Sequence, residues 1–429
     1  MNLTCSQMRA AMLVVLLAFC AGIGSQTASA AIVVGTCTTG QQYATIQAAI
    51  NAAPPGAVIR ICPGQYPEQL TITKNLTLTG LLVMATHMEG ILIESPSGGL
   101  TATVPSLLTP GDNIAAHVAI LGTSGSPISV NLNNIVVDSY GNGIANPSSY
   151  APGTNVVGIL YQDANGTANH VTTHNQIADK VFNGDQGGFG FYVETDTSGI
   201  VVTLENSSVH DYNKNGVVAK GMATLNVLNS YVTGAGPTTT IAQNGIEYVS
   251  GATGKVSGNH VTGHQYTGIP PASASGILFY GAGTGSAATP IVLNDVTQND
   301  FGIALFSDDG YTVTRNAIGH STSEGVEVCS NNNTISLNRI FDSGEAGIDL
   351  DETCPATGNS VLRNTAVEAC AGVLGDDTTN TIGVGTYFDD VYTFLNSASC
   401  QPPAMASAFT ATTNIAGGAS RSAKHSPSP

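Results

Sequence analysis

From residue 158 onward the chain repeats a short pattern: a glycine, an apolar residue, a variable one, then usually a second apolar residue. It occurs at Gly158-Ile159, Gly190-Phe191, Gly216-Val217, Gly245-Ile246, Gly276-Ile277, Gly302-Ile303, Gly325-Val326, Gly347-Ile348 and Gly372-Val373, at intervals of 22 to 32 residues. Residues two apart share one side of a strand, so Ile246/Tyr248, Ile277/Phe279, Ile303/Leu305, Val326/Val328 and Ile348/Leu350 predict one inward-facing strand per repeat. A period in the twenties with occasional insertions is that of stacked coils whose longer loops leave at a corner. Asn206, Asn229, Asn259, Asn294, Asn316, Asn338 and Asn364 recur beside the glycines. The glycines are expected to supply a tight bend before each strand. The asparagines are expected to turn the chain in the left-handed region and bond to the coils above and below as a structural ladder.

Before the coils, Ile46 and Ile50 stand four apart among alanines, and Pro54-Pro55-Gly56 ends the run. This predicts a short amphipathic helix near 43–53, placed to cover the apolar end of the solenoid. Residues 58–61, 70–72 and 76–78 read as strands. The less regular stretch 82–130 has room for an inserted loop. The fold expected is all-β, a parallel solenoid over 31–395 with an N-terminal capping helix. The Ala/Ser/Thr/Pro-rich segment 396–429 reads as a disordered tail.

Composition changes the picture in three ways. Fifty glycines, no tryptophan and 10% charged residues suit strands and turns rather than helices. Residues 1–30 read as a secretory leader: Arg9, an apolar run from Ala11 to Ile23, then Ala28-Ser29-Ala30 as the cleavage pattern. A lipid anchor at Cys20 is the competing reading, opposed by the bulk of Phe19. The formal charge of −17 becomes −18 once Arg9 leaves with the leader, which argues against nucleic-acid or anionic-membrane partners. No later stretch is apolar enough for a membrane span. Six cysteines follow the leader, an even number that in an exported chain points to disulfides. Six allow fifteen pairings, and proximity and coil register favour Cys37–Cys62, Cys329–Cys354 and Cys370–Cys400. A secreted or periplasmic monomer is expected.

The run Tyr43-Ala-Thr-Ile-Gln-Ala-Ala-Ile-Asn-Ala-Ala-Pro-Pro-Gly56, followed by Gly64, Tyr66 and Glu68 as a Gly-x-Tyr-x-Glu element, resembles the opening of pectin methylesterase-like β-helices. The later coils resemble those of pectate-lyase superfamily proteins, NosD-like periplasmic ones included. The resemblance spans nearly all of 32–395 and implies a right-handed parallel β-helix that handles carbohydrate. The esterase Gln-Asp-Thr and Phe-Ile-Phe-Gly elements are absent. So are the polygalacturonase Asn-Thr-Asp, His-Gly and Arg-Ile-Lys elements and the alginate-epimerase Asp-Pro-His-Asp element. A shared fold alone implies no particular reaction.

Aligning coils by their glycines sends the second and fourth following residues outward: Tyr192 and Glu194, Glu247, Tyr280, Phe306, Glu327, then Asp349 and Asp351. Glu327 and Asp349 fall on adjacent coils, roughly 5 Å apart at strand spacing. Carboxylates so paired suit acid and nucleophile work on a glycoside, with Glu327, Asp349 and Asp351 as candidates, or a calcium site that also draws on Asp308 and Asp309. A uronate lyase would need a base, for which Arg315 is the candidate beside Arg339 and Lys220. Tyr192, Tyr280 and Phe306 are candidates for stacking on sugar rings, with packing under a long loop as the alternative. His170/His174 and His260/His264 are each four apart outside helices and read as ordinary loop histidines. The leading expectation is recognition or processing of an extracellular polysaccharide by a lyase- or hydrolase-type site. The alternative is a non-catalytic envelope or surface scaffold or adhesin.

Overall fold

The computed structural model describes residues 31–81, 90–139, 154–177, 184–269, 272–306, 309–351, 354, 356–375, 377–388 and 392–395. The leader at 1–30, Asp308, Cys400 and the tail at 396–429 lie outside the described residues.

The chain winds as coils of three strands. A representative coil holds Val326–Cys329, Thr334–Ser336 and Arg339–Ser343, and the next opens with Ala346–Leu350. Each strand pairs in parallel with its counterpart one coil on: Val326 with Ile348, Thr334 with Ser360, Arg339 with Thr365. Three columns of strands result. Two of them merge because Ile128–Asp138 and Ala164–His174 run unbroken through both, leaving sheets of 24 and 13 strands. The second sheet is the glycine column of the sequence. Among the described residues its one antiparallel pairing brings Val104–Pro105 against Asn113 and Ile114.

The inward side is as the two-residue alternation predicts. Val217, Ile246, Ile277, Ile303, Val326, Ile348 and Val373 stand in one register-matched row, all fully buried. Burial of each such side chain stabilises by about 1.5–3 kcal/mol. Two residues further along each strand, Tyr248 stacks on Phe279 with ring centroids 4.5 Å apart.

The glycines serve a purpose other than bending. None of Gly158, Gly190, Gly216, Gly245, Gly276, Gly302, Gly325 or Gly347 has a positive φ. A Cβ on Gly302 would instead lie 2.5 Å from the carbonyl oxygen of Gly325, and one on Gly325 would lie 2.6 Å from that of Gly347. Glycine is required because the next coil's backbone approaches too closely for any side chain. This replaces the expected tight bend.

The asparagine ladder exists, with a shift of register. Asn259, Asn294, Asn316, Asn338 and Asn364 form it, each Nδ2 donating to the next Oδ1 at 2.9–3.0 Å. The left-handed position belongs to the preceding residue, such as Leu293, Arg315, Leu337 or Arg363. In the two earlier coils Asn206 and Asn229 themselves occupy that exposed left-handed turn, and Ser207 and Ser230 continue the ladder. A second ladder runs through Asn333, Asn359 and Asn380.

The helix spans Ile46–Ala52 and buries Ile46, Ala49 and Ile50. It closes the edge of Leu70–Ile72, the first strand of the glycine column. The Gln47 side chain does this by donating to the Thr71 carbonyl at 3.2 Å and accepting from its N–H at 2.8 Å, as a neighbouring strand would. Glu68 accepts from the N–H groups of Ile46 and Gln47 at 2.8 and 2.9 Å, satisfying the helix start and complementing its dipole. Tyr66 donates its buried hydroxyl to the Cys62 carbonyl. The Gly-x-Tyr-x-Glu element is thus structural. Cys37–Cys62 and Cys329–Cys354 are bonded, with Cα separations of 5.7 and 5.5 Å. Cys370 is also disulfide-bonded, and Cys400, its expected partner, lies outside the described residues. No helix among the described residues is long and apolar enough to cross a membrane.

Candidate functional site

The outer side of the glycine column differs from the exposed strip that alternation suggests. Much of it is covered. Residues 96–112 fold across the early coils, where Ser106 Oγ and the Leu107 N–H donate to Glu194 at 2.8 and 2.9 Å. Gln162 Nε2 also donates to Glu194, and Lys220 Nζ donates to Thr109. Tyr192, expected to be open for sugar stacking, is buried and donates its hydroxyl to Glu194 at 3.1 Å. Phe306 is buried too, in a cluster with Leu278, Phe301 and Ala304, on which the partly exposed Tyr280 packs. Packing, the alternative reading, accounts for Tyr192 and Phe306, while Tyr280 stays partly exposed.

Farther along, carboxylates replace the apolar cover. Glu327 and Asp349 face each other in register on adjacent coils. Glu324 joins them, and one carboxylate oxygen from each of the three lies within 4.8 Å of the others. Glu324 arrives there because the glycine interrupts the alternation. The residue before it and the second after it share the outer side, as Phe301 and Ala304 do one coil earlier.

Glu324 and Glu327 are 6% and 5% exposed, whereas Asp349 is half-buried. Burial raises the pKa of Glu327 well above the usual carboxylate value, and the charges of Asp349, Glu324, Asp351 and Glu345 raise it further. Glu324 is raised for the same reasons, burial first and then Asp349 and Glu345. Both shifts favour the protonated form of the buried glutamates. Among the described residues, Oε2 of Glu324 has no hydrogen-bond partner. One carboxylate oxygen each from Glu324, Glu327 and Asp349 makes a set of hard donors that could hold a cation of the calcium type.

The remaining candidates fall elsewhere. Asp351 influences Glu327 electrostatically but sits with the Cys329–Cys354 disulfide, a donor atom of each within 4.8 Å of the others. Asp309 is taken up in a turn, accepting from the N–H and Nδ2 of Asn331 at 2.8 and 3.2 Å. Arg315 lies on the other sheet, in an exposed left-handed turn after Thr312–Thr314, its N–H bonded to the Ser336 carbonyl. It is not brought to the cluster, whose strongest charge influences are all acidic. Another coil pair buries Glu247 with Asn244, which donates to it at 3.1 Å, near the buried Lys214. Burial is the main cause of both shifts there, raising Glu247 and lowering Lys214.

Residues 271–386 match the family model described as a right handed beta helix region. No curated protein matches the chain. Among solved structures, the A-module of the mannuronan C-5 epimerase AlgE4 from Azotobacter vinelandii is similar, with a TM-score of 0.51 and 15% identity over 81% of this chain and 92% of that one. The Dettilon tailspike protein aligns with a TM-score of 0.49 and 16% identity, covering 80% of this chain and 62% of that one. The DFA-IIIase from Arthrobacter chlorophenolicus A6 aligns with a TM-score of 0.42 and 16% identity, covering 81% and 77%. The fold is a right-handed parallel β-helix.

Proposed function

We propose that this protein is exported and processes an extracellular polysaccharide at the Glu324–Glu327–Asp349 cluster. The observation that carries this reading is the division of labour among the three carboxyl groups. Glu327 is buried beside acidic neighbours, which raises its pKa and favours its protonated form, while the half-exposed Asp349 faces it across one strand spacing. A protonated carboxylic acid beside an ionised one is what glycosidic cleavage uses: the first protonates the leaving oxygen, the second stabilises or attacks the sugar carbon. A separation near 5 Å is the spacing of retaining hydrolysis. Export is supported by the leader-like N-terminus and by the disulfides.

A non-catalytic scaffold is the second reading, favoured by the burial of Tyr192 and Phe306 beneath packed cover. The two are separated by incubating the protein with uronate-containing and neutral polysaccharides while following reducing ends and unsaturated-uronate absorbance. Turnover that Glu327→Gln and Asp349→Asn each reduce by about 100-fold or more supports the enzymatic reading. Absence of turnover and of glycan binding across the panel refutes it.

A further inference from the structure

The third strand of each coil carries a polar outer face on which histidines meet aspartates. His174 faces Asp138, His210 faces Asp211, His260 faces Asp295 and His320 faces Asp342. Among the described residues only the first two pairs merge. Thr173 pairs with Val209, so the next residues, His174 and His210, are neighbours on adjacent coils. Their rings stack with centroids 5.1 Å apart and planes 20° from parallel. One donor atom from each of His174, His210 and Asp211 lies within 4.8 Å of the other two.

The surroundings hold these side chains in place. His210 Nδ1 is 2.6 Å from Asp211 Oδ2. Asp138 comes within 3.9 Å of His174 Nδ1. Asn175 Nδ2 bridges the two, donating to Asp138 at 2.9 Å and to His174 Nδ1 at 2.9 Å. A carboxylate behind an imidazole fixes the ring's orientation and raises its basicity, as around protein-bound transition metals.

We propose that His174, His210 and Asp211 form a binding site for a divalent transition-metal ion of the zinc or copper class, with Asp138 as the carboxylate beside His174. Two imidazole nitrogens and one carboxylate oxygen suit such ions better than calcium or magnesium, which select all-oxygen shells. Three protein ligands leave a fourth position open to water or a ligand. Metal–nitrogen bonds of about 2.0–2.1 Å require the donors to draw closer. All three residues are partly or fully exposed, so the movement disturbs no core packing. The site stands on the opposite sheet from the carboxylate cluster and is independent of its function.

The test is a titration of the full mature chain with zinc against a chromophoric chelator at neutral pH, with excess calcium present to occupy oxygen-only sites. One tight equivalent is expected. His174→Ala and His210→Ala should each weaken it by about 10-fold or more, with unchanged circular dichroism, and His260→Ala should leave it intact. Histidine side-chain NMR should show the His174 and His210 rings shifting together as the first equivalent binds. No tight equivalent, equal affinity in the His174→Ala/His210→Ala double variant, or an equal loss in His260→Ala would overturn the site.

Discussion

Glu327 stands opposite Asp349 in the parallel register of two neighbouring coils, both on the outer side of the glycine column, yet only Asp349 reaches solvent appreciably. Strand spacing holds them close, so their mutual repulsion is built into the fold, and a proton or a cation would relieve it.

The proton gives the first prediction. The folded-state pKa of Glu327 lies above its unfolded value, so the folded chain binds more protons between the two. Stability contributed by the protonated group is present below the unfolded pKa, near 4.5, and is lost as pH rises through the folded one. Glu327→Gln should therefore raise the melting temperature relative to wild type at neutral and mildly alkaline pH, with the difference vanishing in acid. Thermal melts across pH check this, and a difference independent of pH would mean that Glu327 ionises normally.

A cation gives the second. Calcium bound by the folded chain alone should raise the melting temperature by mass action, equivalent to about 2.7 kcal/mol when the ion stands at 100 times its dissociation constant. The response should strengthen with pH because calcium and protons compete for the same oxygens. Replacing Glu327→Gln and Asp349→Asn together should abolish it. A surviving response would place the ion elsewhere.

The architecture and the Glu327–Asp349 pairing were legible in the sequence because both follow from one period. Apolar residues two apart after each glycine specify the inward row, and counting from the glycines aligns the two carboxylates. What stayed hidden lacks that period. The cover over Tyr192 and Glu194 comes from 96–112, a loop whose target no alternation reveals. Glu324 was missed because glycine breaks the alternation and turns two nearby residues to one side. Asn206 and Asn229 sit one position off the ladder because the serine after each performs the same bonding with less side chain. His174 and His210 meet only once the coil register is known, since 36 residues separate them along the chain.

The glycine ladder carries the third prediction. A Cβ at position 302 would lie 2.5 Å from the Gly325 carbonyl oxygen and equally close to a methyl carbon of Ile318. Coils fixed by parallel hydrogen bonds on both sides cannot open locally, so Gly302→Ala should destabilise by about 1–3 kcal/mol, the cost of overpacking. Gly125→Ala, where nothing lies within 4 Å, should be nearly neutral. Chemical denaturation of both variants checks the contrast. Equal, small effects would show that the coils separate readily.

The last prediction concerns a histidine inside the stack. His264 is fully buried, with Nδ1 2.7 Å from Asn299 Oδ1 and Nε2 bonded to the Tyr212 hydroxyl. The amide oxygen can only accept, so the neutral ring carries its proton on Nδ1 and receives the tyrosine proton at Nε2. Burial lowers its pKa to about 4, with the Asn299 bond partly opposing. The folded value lies below the ordinary 6.5, so the unfolded chain binds more protons between the two. Stability is intact above that ordinary value and falls as pH drops toward 4, by about 1.4 kcal/mol per unit. The total is about 3 kcal/mol, and His117, lowered to about 4 mainly by burial, acts in the same direction. The buried glutamates act in the opposite sense over part of this range. The measurement therefore belongs in a Glu324→Gln/Glu327→Gln background, comparing denaturation midpoints with and without His264→Gln across mildly acidic pH. The histidine-containing protein should lose stability more steeply as pH falls, and parallel curves would show that His264 titrates alike in the folded and unfolded chain.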